Sequence, residues 1–182
     1  MKMLRYLIPL LVLLMFALPT RADEESKTSE KNENETSEPR AVQWLSYADA
    51  LAKSQSENKH ALIYFVRNGC GWCRLMERQT YTDSNVIRIL EEHFAPTTVW
   101  GDSNKELEID GYKITERNLA TVEFGVTGYP EFWFLTPDYI KVGPLKGYLP
   151  ADRFVKALEF VKDYRYDTTR TEQSDSVGQE GE

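Results

Sequence analysis

Leu62-Ile63-Tyr64-Phe65-Val66, then Arg67-Asn68-Gly69, then Cys70-Gly71-Trp72-Cys73, is the stretch whose reading decides the fold. Five consecutive apolar residues without polar alternation describe a strand covered on both faces. Arg67-Asn68-Gly69 ends that strand, and a helical pattern takes over at Leu75-Met76, with Arg74, Glu77 and Arg78 on its wet side and a stop near Thr80. The two cysteines sit at the join, and no others occur in the 182 residues. A thiol at a helix N-terminus is primed to ionise, because the helix dipole favours an anion there.

Upstream of the strand, Trp44, Leu45, Ala48 and Leu51 recur at helical spacing and predict a helix over 41–57. Downstream, Thr82-Asp83-Ser84 offers a fresh N-cap, and Val86, Leu90 and Phe94 form one stripe of the next helix. Ala95 to Trp100 reads as a second strand, and Asp102 to Lys113, rich in charge and poor in apolar residues, as a surface excursion. Thr115 caps a helix through Phe124, with Gly125 where a helix C-terminal glycine belongs. Phe132 to Leu135, a Thr136-Pro137-Asp138 turn and Tyr139 to Val142 predict an antiparallel hairpin, interrupted at Gly143-Pro144. The last helix spans Ala151 to Tyr164, with Phe154, Leu158 and Val161 on its stripe. This alternation is that of an α/β domain with a mixed sheet.

Several chemistries use closely spaced cysteines. Haem attachment requires a His after the second cysteine, and position 74 is arginine. Zinc needs two further ligands, and the chain offers only His60 and His93, neither in a ligand cluster. Copper held by two thiolates is disfavoured by the scarcity of Met and His near the pair. A purely structural bridge is a poor staple here, since so short a loop restrains little chain entropy. Redox exchange is favoured by the strand-to-helix context. In that chemistry Cys70, first in the helix, attacks, and the more sheltered Cys73 resolves. The helix dipole supplies about 0.3–2 kcal/mol to a nearby anion, which lowers a thiol pKa by at most about 1.5 units. Further donors would lower it more, and Arg67 and Arg74 flank the pair as candidates for stabilising the thiolate. Trp72, between the cysteines, is a candidate for the docking surface. Neither a metal nor a cofactor is expected beyond the redox-active disulfide Cys70–Cys73.

The ends of the chain differ from its middle. Residues 1–22 have a positive start at Lys2 and Arg5, an apolar stretch from Leu7 to Leu18 and a small-residue site at Thr20-Arg21-Ala22, which predicts a signal peptide. The apolar part is short against the ~20 residues that span a bilayer, so cleavage rather than lasting membrane insertion is expected. Export places the cysteines in an oxidising compartment, here expected to be the bacterial periplasm. Residues 23–40, with seven acids and three bases, predict a disordered linker, and 166–182, with five acids and one base, a disordered tail. The formal charge of −7 therefore lies in the tails, and the domain over 41–165 lacks the basic footprint of a nucleic-acid binder.

Together with Gly128-Tyr129-Pro130, an X-Pro step leading into a strand, these features resemble the thioredoxin superfamily, and most of all its exported, thioredoxin-related SoxW-like members. The similarity runs from Glu57-Asn58-Lys59 through the cysteine motif with Met76-Glu77 to Gly125-Val126-Thr127-Gly128-Tyr129-Pro130 and Lys146-Gly147-Tyr148. It implies a thioredoxin fold, a cis Tyr129-Pro130 bond beside the cysteines, and a Tyr129 backbone open to an extended substrate. It also implies thiol–disulfide exchange on a client protein carrying a disulfide or a thiol, in either the reducing or the oxidising direction, with a second redox partner regenerating the pair. A module that binds protein through Trp72 and Tyr129 without turnover is the alternative. Three departures stand out: Tyr64 where many relatives bury a carboxylate, Gly69 in place of a tryptophan before the first cysteine, and no kinking proline in the following helix.

Overall fold

The computed structural model describes residues 41–109 and 111–167, so the predicted signal peptide, the linker and all but two residues of the predicted tail lie outside the described residues. The first helix, α1 (Tyr47–Ser56), leads into strand β1 (His60–Val66), all of whose residues are buried. Helix α2 (Gly71–Leu75) continues as a π-helical turn over Met76–Thr80, followed by α3 (Ser84–His93) and β2 (Phe94–Trp100). A small antiparallel pair, β3 (Glu106–Ile109) and β4 (Tyr112–Thr115), precedes the short α4 (Glu116–Asn118), which runs on as a π-helical turn over Leu119–Glu123. Strands β5 (Glu131–Leu135) and β6 (Lys141–Lys146) and helix α5 (Ala151–Lys162) complete the domain.

The central sheet has the order β2-β1-β5-β6, with β1 parallel to β2 and antiparallel to β5. Alternation along β1 explains why its sequence has none. Leu62, Tyr64 and Val66 face one core with the cysteines, Leu90, Phe132 and Phe154, while Ala61, Ile63 and Phe65 face another with Leu51, Leu119 and Phe124. Both pleats of the strand are under cover, so both must be apolar.

Five boundaries differ from the sequence reading, the first at Phe94, which is extended and opens β2 instead of ending the stripe of α3. Residues 41–46 are not helical: Leu45 bridges Thr97 beside β2, Trp44 packs on the Tyr64 and Tyr81 rings, and Ser46 is the N-cap of α1, accepting from the Asp49 N–H at 3.1 Å. The surface excursion contains β3 and β4, in which Leu107 and Ile109 alternate with Glu106 and Glu108 and pack against the core at Leu107 and Ile109. Gly143 and Pro144 do not interrupt β6; they lie within it, opposite Phe134 and Trp133, and a register shift between Phe134 and Leu135 absorbs the irregularity. Because β6 is an edge strand, the N–H that Pro144 lacks need not be missed by a neighbour. The last helix ends at Lys162 instead of Tyr164.

Candidate active site

Cys70 is the N-cap of α2 rather than its first helical residue, and its Sγ accepts a hydrogen bond from the Cys73 N–H at 3.0 Å. The two sulfurs are joined in a disulfide, with Cα atoms 5.3 Å apart. Cys70 is 8% exposed and Cys73 3%, so what access there is falls to the first sulfur. Among the described residues the Cys73 N–H is the hydrogen-bond donor at Cys70 Sγ, and neither arginine proposed for that task reaches it. The Arg67 guanidinium instead lies over the Tyr129 ring, 5.8 Å from its centroid.

Opposite the pair stands the Tyr129–Pro130 peptide, which is cis. Pro130 O accepts from Gly147 N–H at 2.8 Å, whereas the backbone N–H and carbonyl of Tyr129 have no partner among the described residues. Between the two walls runs a groove of about 250 Å³ lined by Cys70, Trp72, Thr127, Tyr129 and Arg67 among others. Trp72 is 61% exposed and does not fold over the turn; its ring stacks on Tyr148, centroids 5.8 Å apart. The structure thus brings Cys70, Trp72, Tyr129 and Arg67 together at one opening and leaves Arg74 on the adjoining rim, where its Nη2 lies 3.9 Å from the position a Cβ on Gly71 would take. A larger cavity, about 340 Å³, lies elsewhere between Tyr47, Ile114 and Phe124, and its lining contains neither cysteine.

Beneath the disulfide, Tyr64 takes the place of a carboxylate. Its hydroxyl donates to Cys73 O at 3.2 Å and its ring stacks on Phe132. Burial, reinforced by the charge of Glu77, pushes the Tyr64 phenol well above its ordinary range, so it stays neutral and is no base at neutral pH. Two neighbours of the site, Asp102 and Gly101, carried no motif, and a third, Tyr148, lay in the quoted Lys146-Gly147-Tyr148 stretch without a role assigned to it. Asp102 Oδ2 accepts from both Asn68 N–H and Asn68 Nδ2, each at 3.0 Å, and so ties the loop before Cys70 to the end of β2. Gly101 lets the Tyr129 ring lie against that same strand end, since a Cβ there would stand 2.6 Å from Tyr129 Cζ. Tyr148 supplies the partner for Trp72 and anchors its own hydroxyl on Gln79 Oε1 at 2.8 Å. A signal for Asp102 did exist: it follows the second of two parallel strands, whose carboxyl ends share an edge with the cysteines.

A four-stranded mixed sheet flanked by helices, with a bonded Cys-x-x-Cys pair at the start of the helix that follows β1, defines a thioredoxin-fold protein. Residues 47–162 match the family model of the thioredoxin-like domain, and the chain belongs to that family. It is 29% identical over 96 residues to the disulfide bond reductase DsbH of Chlamydia pneumoniae, covering 52% of this chain and 56% of that protein. An uncharacterized protein of Caenorhabditis elegans is 25% identical over 114 residues, 61% of this chain and 14% of the other, so the chain spans little more than half of one curated relative and a small part of the other. Among solved structures, a thioredoxin from Thermus thermophilus superposes with a TM-score of 0.55 at 30% identity, covering 66% of this chain and 87% of that one. Among the described residues no helix is long and apolar enough to cross a membrane, and no three His, Cys, Asp or Glu side chains gather as a metal site.

Proposed function

We propose that this protein reduces disulfides in client proteins, with Cys70 as attacking thiolate, Cys73 as resolving thiolate, and Trp72, Tyr129 and Pro130 as the surface that receives the client. The observation that carries the reading is the position of Cys70 Sγ, capping α2 at a groove whose far wall presents an unpaired Tyr129 backbone. An extended client segment laid along that backbone has its own disulfide beside Cys70.

In the reduced enzyme the Cys70 thiolate attacks one client sulfur. The client S–S bond breaks, a mixed disulfide forms, and the departing client thiolate takes up a proton. Cys73, having lost its proton, then attacks Cys70 Sγ, and the second client thiolate leaves. Two electrons have passed to the client, and the pair is in the bonded state described above. A partner dithiol must reduce it again. Tyr64 does not take the Cys73 proton, because its hydroxyl is itself protonated and engaged with Cys73 O.

Two considerations favour reduction over oxidation. A strong oxidant owes its potential to a heavily stabilised thiolate, and here the Cys73 N–H donates to Cys70 Sγ while neither arginine is hydrogen-bonded to it. The relative from Chlamydia pneumoniae is named a reductase. The leader-like residues 1–22 support action after export, in a periplasm. A Cys73→Ala variant tests the assignment: it should accumulate mixed disulfides through Cys70 with client proteins of the same compartment, and a Cys70→Ala variant should accumulate none. The exposed Trp72 also suits a binding module without turnover; that reading requires partners to be held equally well, non-covalently, by the variant lacking both thiols.

A further inference from the structure

We infer that the groove selects client segments with an acidic residue next to their cysteine, and that Arg67 and Arg74 are its specificity-determining residues; this rests on the exchange function proposed above. Among the described residues, none that lines the groove is acidic. Arg67 projects into it from one side, held on the Tyr129 ring at 5.8 Å instead of waving free in water. Arg74 is not part of the lining and stands at the rim, its Nη2 3.9 Å from the position a Cβ on the lining residue Gly71 would take. Neither guanidinium has an ion-pair partner among the described residues. The neighbouring acid, Asp102, is not part of the groove lining; its Oδ2 accepts from Asn68, and its charge reaches the Tyr129 ring without forming an ion pair with either arginine.

Two guanidinium groups without an ion-pair partner among the described residues, one of them lining a groove that has no acid in its lining, are a recognition feature for carboxylate, which an arginine binds through two parallel N–H donors. The chain's net charge of −7 does not cancel this attraction. Beyond about 8 Å in physiological salt, exposed charges are largely screened, so the charges in contact decide. The Arg67–Tyr129 stack adds pre-organisation, because a side chain already placed gives up less freedom when a client carboxylate arrives.

The test uses the full chain reduced with dithiothreitol and freed of excess reductant. Its substrates are two symmetrical peptide disulfides identical except for Asp or Lys on each side of the cysteine. Each rate of reduction is divided by that of the same peptide with dithiothreitol alone, which removes the peptide's own leaving-group effect. The Asp peptide should be reduced about tenfold faster than the Lys peptide at low ionic strength, and the ratio should collapse in about 1 M salt, where the screening length is about 3 Å. Arg67→Glu should invert the ratio and Arg74→Glu should lower it. A ratio at or below one in the unmodified chain overturns the proposal, as does a preference that neither charge reversal changes. No reaction with either peptide by a demonstrably reduced pair overturns the exchange function itself, and this inference with it.

Discussion

At the scale of single residues, Asp102 and Gly101 hold the two walls of the groove together without touching either sulfur. Asp102 takes both amide groups of Asn68 on one oxygen, and its charge helps to raise the Tyr129 phenol, for which burial is the larger cause. Removing the carboxylate in Asp102→Ala should cost about 1–2 kcal/mol in denaturant unfolding, a modest figure because the bonds are solvent-exposed. Asp102→Asn keeps an oxygen for Asn68 but drops the charge. Its unfolding should stay near that of the parent while the Tyr129 phenol titrates at lower pH, followed by ultraviolet absorbance; an unmoved titration would show that Asp102 does not act on the ring. Gly101→Ala forces the Tyr129 ring off β2, since the new methyl would stand 2.6 Å from Cζ, and should destabilise by about 1–3 kcal/mol with a larger loss of exchange rate than of fold.

At the scale of elements, caps and strand cover determine which stretches were legible. Asp83 caps α3 with bonds to Asn85 N–H and Val86 N–H at 2.9 and 3.2 Å, and Asp83→Ala should lower stability by about 0.5–2 kcal/mol in chemical unfolding. That helix was readable because cap and apolar stripe agree, and so was the helix after Thr115, which accepts from the Asn118 N–H at 3.2 Å and closes at Gly125 with φ +62°. The β3–β4 pair was not, because four-residue strands with two apolar positions each leave too short an alternation to separate from a charged loop. Trp44 and Leu45 matched helical spacing for a different reason, one packing on Tyr64 and Tyr81 and the other bridging β2. The site divides the same way. Cys70, Cys73 and Tyr129-Pro130 announce themselves as local patterns, whereas Asn68 and Asp102 are 34 residues apart and meet only because β1 and β2 are parallel. Arg67 flanks the cysteines in sequence, yet its partner is the Tyr129 ring across the groove, which spacing along the chain cannot foretell.

At the scale of the whole molecule, buried phenols and the cysteine pair set how the domain responds to solution conditions. Burial, aided by Glu123, pushes the Tyr47 phenol up to about 12 from 10, and burial drives Tyr64 and Tyr81 upward too. Because these groups ionise in the unfolded chain near pH 10 and later in the folded one, the stability they contribute is complete below pH 10 and is lost as pH rises toward the folded values. Tyr47 alone implies a loss of about 3 kcal/mol between pH 10 and 12, and Tyr47→Phe should flatten the alkaline limb of a stability-against-pH curve by that order. The domain as a whole places a bridge that closes a very short loop at the start of a helix, where it adds little as a staple, and the role proposed for it is that of a reagent. A redox titration of the full chain in dithiothreitol and glutathione buffers, with the Cys70–Cys73 state read by thiol alkylation and mass, tests this most directly. The predicted result is one reversible two-electron transition with its midpoint above about −300 mV; a pair reduced only below that mark, in the range of structural disulfides, or one that does not cycle at all, would contradict it.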